Sequence, residues 1–125
     1  MDLTEAITAH VRWKVRLLQC IRGQAELPNA AEVARQDGCE LGKWLEGAGM
    51  EYASLASFHE TKSTHASFHL RAAEVASAVA RGEKSQAEAM LGADSPYSVA
   101  SDAVILALAK LRAEARKAGK PSLEG

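Results

Sequence analysis

His65 and His69 stand four residues apart in a stretch without proline or glycine, so on a helix their rings rise from one face about one turn apart. Two imidazoles at that spacing can hold one metal ion, although the same spacing also occurs on solvated helix faces. Their surroundings favour the metal. Leu55, Phe58, Lys62, His65, His69, Ala72, Ala76 and Val79 follow alternating steps of three and four, the pattern of a seam packed against neighbouring helices. A buried imidazole without a partner is costly, and a metal ion shared by the two supplies one.

His10 falls on the inner face of an expected first helix, where taken alone it reads as a core histidine bonded to a backbone carbonyl. Cys39 taken alone reads as a small buried residue. Its place in the first turn of an expected short helix argues further, because exposed amides and the helix dipole favour a thiolate, the form that binds metal. His10, Cys39, His65 and His69 together offer sulfur and nitrogen donors from three elements. That set suits tetrahedral Zn2+ better than magnesium, calcium or a carboxylate-bridged di-iron centre. Four protein ligands leave no position for an activated water, so the expected zinc is structural or regulatory and the chain is not an enzyme. No catalytic residue is assigned: Glu60 and Glu74 lie off the seam, His59 points to another side of the helix, and Cys20 is expected to fill core space.

The elements that must position these groups are all helical, and no alternating pattern argues for strands. The expectation is an all-α four-helix bundle with an additional short helix carrying the cysteine ligand. Thr4 is the expected N-cap of a first helix over 4–22, stopped by Gly23, with Leu3 and Ile7 as a staple. It carries two stripes, Ile7, Val11, Val15 and Leu18 beside His10, Trp13, Leu17 and Cys20, and so a broad buried face is expected. Residues 23–38 read as a connecting segment with one weak helical turn near 30–34, marked by Gly23, Pro28, Asn29 and Gly38. The run Asp37-Gly38-Cys39-Glu40 has capping-box spacing and predicts a short helix through Trp44 and Leu45, ending at Gly47 or Gly49. The longest helix is predicted over 52–81, a shorter one over 85–91 and a last one over 96–118, opened by Ser95-Pro96 and lined by Val104, Leu108 and Leu111.

At 125 residues, with 47% hydrophobic and 25% charged residues, the chain has the composition of one globular domain. The expected division is a helical domain over 1–118 and a flexible tail over 119–125. Fifteen basic and 16 acidic residues, a net charge of -1, argue against nucleic acid or a membrane surface as partner. The longest strongly apolar run, 104–109, is too short to span a bilayer, and residues 1–5 lack the order of a secretory signal. A cytoplasmic chain is expected. Its two cysteines are too few for a disulfide scaffold.

Three segments carry a resemblance: Ala9-His10-Val11-Arg12-Trp13, Cys39-Glu40-Leu41-Gly42-Lys43-Trp44-Leu45 and His65-Ala66-Ser67-Phe68-His69. In order and separation they resemble the chemoreceptor zinc-binding (CZB) domain of bacterial chemoreceptors and diguanylate cyclases, over about 3–111. The resemblance implies that His10, Cys39, His65 and His69 coordinate Zn2+ as three histidines and one cysteine. It also implies a homodimer whose zinc occupancy controls a signalling output in cis or in trans, such as chemotaxis or cyclic di-GMP synthesis. Oxidants such as hypochlorous acid attacking the zinc-bound cysteine belong to the same expectation. The chain carries no cyclase motif and no coiled-coil stalk, which reads either as a free-standing member or as a piece of a longer protein, with residues 119–125 a flexible tail or the remnant of a linker. Against this reading stand a structural dimerisation bundle whose polar seam only fixes register, and a metalloenzyme with an open site.

Overall fold

The computed structural model describes residues 1–26, 29–35, 37 and 39–120. Of the expected tail, residues 121–125 lie outside that set, as do Pro28 and Gly38 of the expected connecting segment. Among the described residues six α-helices follow one another: α1 (Leu3–Ile21), α2 (Ala30–Ala34), α3 (Glu40–Glu46), α4 (Ala56–Ala80), α5 (Lys84–Ala89) and α6 (Pro96–Lys117), with a 3-10 turn over Ala48–Tyr52. Among the described residues there is no strand, and no helix is long and apolar enough to cross a membrane. The architecture is all-α, compatible with a four-helix bundle. α1, α4 and α6 are the long members; α2 and α3 lie against α4, and α5 contacts both α4 and α1.

Local signals explain most of the boundaries. Ser95 caps α6 by accepting from the Ser98 amide, with Pro96 at the first helical position. Gly23, at φ +73°, lets the chain leave α1 in a left-handed conformation. Two expected caps are corrected. Asp2, not Thr4, caps α1, its carboxylate accepting from the Thr4 amide at 2.9 Å, so the helix starts at Leu3. Cys39 itself, not Asp37, caps α3, its sulfur accepting from the Gly42 amide at 3.4 Å. The long helix starts at Ala56 rather than at 52, because Ala48–Tyr52 wind as a 3-10 turn.

Leu17, Phe58, Phe68, Val75, Val104, Leu108 and Leu111 are fully buried where α1, α4 and α6 meet. The buried face of α1 is narrower than expected. His10, Leu17 and Cys20 face inward, whereas Val11 and Val15 of the other stripe remain 50% and 55% exposed. Lys62, expected on the seam, is only half-buried and pairs with Glu46 at 3.1 Å, tying the end of α3 to α4. α3 is further fixed by buried Leu41 and Leu45, and by Trp44 packing on the Tyr52 ring at 5.6 Å. Gly49 permits that arrangement, since a Cβ there would lie 2.6 Å from the Trp44 carbonyl oxygen and 2.8 Å from its ring.

α4 has no cap from its own sequence: Leu55 occupies the N-cap position without a side-chain bond. The Glu114 carboxylate of α6 takes that role, accepting from the Ser57 amide at 2.9 Å and from the Ser57 hydroxyl. Those two bonds hold the Glu114 carboxyl below its usual range. Glu114→Ala is therefore expected to destabilise the fold by roughly 1 kcal/mol, the usual worth of a cap, measured by urea denaturation at neutral pH. An unchanged midpoint would show that water caps α4 equally well.

Candidate metal centre

Three elements bring four donors to one place. α1 carries His10, the N-cap position of α3 carries Cys39, and one face of α4 carries His65 and His69. A donor atom from each lies within 4.8 Å of the other three. The histidines are 3%, 0% and 3% exposed respectively, and Cys39 is half-buried. Of the other candidates weighed in the sequence, Cys20 is buried outside this cluster, and His59 is exposed on α4 with its ring against Phe58. Glu60 and Glu74 are exposed and pair with Lys110 and Arg71.

Backbone carbonyls orient two of the rings. His10 Nδ1 lies 2.7 Å from the Ala6 carbonyl oxygen and His69 Nδ1 lies 2.9 Å from that of Val33. A carbonyl only accepts, so in each ring Nδ1 carries the hydrogen and donates, which leaves the Nε2 lone pair free in the neutral imidazole. His69 Nε2 faces His65 Nε2 at 3.0 Å, and the Cys39 sulfur stands 3.1 Å from the same His65 atom. His10 Nε2 and His65 Nδ1 are buried without a partner among the described residues. Phe68 walls the cluster, 5.2 Å from the His10 ring and 5.6 Å from His69.

This donor set fits a zinc ion. Tetrahedral zinc with bonds of about 2.0 Å to nitrogen and 2.3 Å to sulfur sets its ligand atoms about 3.3 Å (N to N) and 3.6 Å (N to S) apart. The contacts of 3.0 and 3.1 Å are within about half an ångström of those spacings. A His10 nitrogen buried with its lone pair free is a donor in want of an acceptor, and carbonyl-held Nδ1–H groups are the usual outer support of a metal-bound imidazole.

Electrostatics keep the imidazoles neutral. Burial lowers the His65 pKa to about 3, assisted by His69 and His10. Burial also lowers His10 and His69, outweighing the carbonyl bonds that act the other way. Cys39 corrects the expectation drawn from its helix position. Its pKa is raised, because burial outweighs the Gly42 and Leu41 amides and the Lys43 charge that favour the thiolate. Burial thus favours the Cys39 thiol, and a metal ion bound there would displace its proton.

The sequence reading missed the Ala6 and Val33 carbonyls. Ala6 was within reach, being four residues before His10 on a helix; Val33 was not, because only the docking of α2 on α4 brings it to His69.

The sequence profile of the chemoreceptor zinc-binding domain family matches residues 10–76, a span that begins at His10 and takes in Cys39, His65 and His69. No curated protein and no solved structure matches the chain.

Two pH effects follow. With three neutral imidazoles and one protonated thiol, zinc uptake at pH 7 should release about one proton per ion, and none in Cys39→Ala, measured by titration in weakly buffered solution. In the metal-free protein the imidazole pKa values are depressed from 6.5, so the unfolded chain binds protons that the folded chain refuses, and stability rises with pH. The melting temperature should therefore fall as pH is lowered from about 6.5 toward 3, and His65→Leu should flatten the fall.

Proposed function

The chain belongs to the chemoreceptor zinc-binding domain family, and from that premise we propose that it is a sensory domain in which His10, Cys39, His65 and His69 hold one zinc ion to set the position of α3. The observation that carries this reading is the convergence of four donors from three elements within 4.8 Å, two of them with Nδ1–H tied to carbonyls and Nε2 left unprotonated. Bound zinc supplies a Lewis acid that takes the place of the thiol proton and joins α1, α3 and α4. The rest of the device is in the chain. His65 and His69 ride on one long helix, whereas Cys39 heads a helix of seven residues reached through the connecting segment. Cys39 is therefore the donor that moves at least cost.

The finer reading is a redox one. A Cys39 thiolate attacking hypochlorous acid becomes the sulfenic acid, RS⁻ + HOCl → RSOH + Cl⁻, a two-electron oxidation in which chloride leaves. The product is a poor ligand, so α3 loses its tie to the cluster and is held by Leu41, Leu45, the Trp44–Tyr52 contact and the Lys62–Glu46 bridge. Its displacement is the signal passed to an output such as chemotaxis or cyclic di-GMP synthesis. The half-exposed Val11 and Val15 on α1, flanked by half-buried Ile7 and Leu18, support a homodimer formed on that stripe.

Elemental analysis of protein purified without added metal should find one zinc per chain, and Cys39→Ala should weaken binding by more than about 100-fold, beyond the cost of losing an outer support. Equal metal content in both would leave only the structural bundle. Stoichiometric oxidant should release zinc as Cys39 is modified; modified Cys39 with zinc retained would remove the redox reading and leave simple zinc sensing.

A further inference from the structure

Among the described residues, clefts that open onto the cluster differ in their charges. One of about 370 Å³ reaches His65, but its carboxylates are spent: Asp37 pairs with Arg35 at 3.3 Å and Glu46 with Lys62 at 3.1 Å. A smaller one of about 140 Å³ reaches Cys39 and His69 past Arg16, Glu32 and the Asp37-paired Arg35, a lining with no excess of carboxylates. The third, about 490 Å³, runs between the start of α1 and the start of α3 down to His10 and Cys39. Three carboxylates, Asp2, Glu5 and Glu40, face it, against Arg16 and the Met1 amino group. Asp2 is committed to the α1 amides, and the Arg16 guanidinium lies over the Trp13 ring at 4.7 Å. Glu5 and Glu40 are exposed and make no ion pair among the described residues.

A second observation makes this more than an acidic patch. His10, which lines the cleft, is 3% exposed and its Nε2 has no partner, so the acidic mouth leads to a buried, unsatisfied donor. We propose that this cleft is the route by which a divalent transition-metal cation reaches the cluster, with Glu5 and Glu40 steering it and His10 and Cys39 meeting it first. The proposal rests on the zinc-site reading above and adds a path to it.

Carboxylates at a mouth within about one Debye length, roughly 8 Å at physiological salt, raise the arrival rate of a dication and lose that effect when salt screens them. The test is stopped-flow binding of Co2+ to the metal-free protein, followed by cobalt–thiolate charge-transfer absorption at low ionic strength. The Glu5→Gln/Glu40→Gln protein should associate about three- to tenfold more slowly than wild type. The difference should vanish near 0.5 M salt, where the Debye length is only a few ångströms, with the final spectrum unchanged. Glu32→Gln, in the smaller cleft, should leave the rate alone. An unchanged rate in the double variant, or equal slowing by Glu32→Gln, would overturn the route while leaving the site intact. A wild-type protein without the charge-transfer band would overturn the site itself, and the route with it.

Discussion

Three imidazoles buried around one point must remain neutral, and each must then find a use for its free nitrogen lone pair. His65 Nε2 sits 3.0 Å from His69 Nε2 and 3.1 Å from the Cys39 sulfur, while His10 Nε2 has no partner. Leaving such groups unmatched costs about 1–3 kcal/mol each, a large fraction of what a small domain has in hand. A cation at the centre would give the three lone pairs one common partner, while the His65 Nδ1 hydrogen stays unmatched. Most of what is unusual in the fold serves that arrangement: α2 supplies the Val33 carbonyl that turns His69, Ala6 turns His10, and Phe68 excludes water from one side.

The same constraint explains how the site divides into rigid and movable parts. α4 is long, capped from α6 by Glu114 and packed on both long neighbours, so His65 and His69 share one well-held helix. α3 is short and owes its first-turn cap to Cys39 itself, whose sulfur accepts from the Gly42 amide. One atom thus serves as helix cap and as candidate ligand. A change at the sulfur is felt both at the cluster and in the backbone that presents it.

Much of this was legible in the sequence, for reasons that differ by residue. The pair His65 and His69 declared itself by helical spacing on a seam, and Pro96 and Gly23 set helix ends by local chemistry alone. The turn at Ala30–Ala34 was visible in composition, but its role was not, because Val33 meets His69 only through tertiary packing. The start of α4 was misplaced by four residues, since nothing local separates a 3-10 turn from a first helical turn, and the cap that fixes it comes from Glu114. Of the Ile7, Val11, Val15 and Leu18 stripe, Ile7 and Leu18 do pack against the core, but Val11 and Val15 do not, because periodicity reports an apolar face and not what covers it. The Cys39 thiol was misjudged because dipole and amides were weighed without burial, which outweighs them.

X-ray absorption at the zinc edge, on protein loaded with one equivalent, tests the central claim most directly. The account predicts one sulfur near 2.3 Å and three nitrogens near 2.0 Å, with no oxygen neighbour. A shell without sulfur, or one completed by water oxygen, would contradict it.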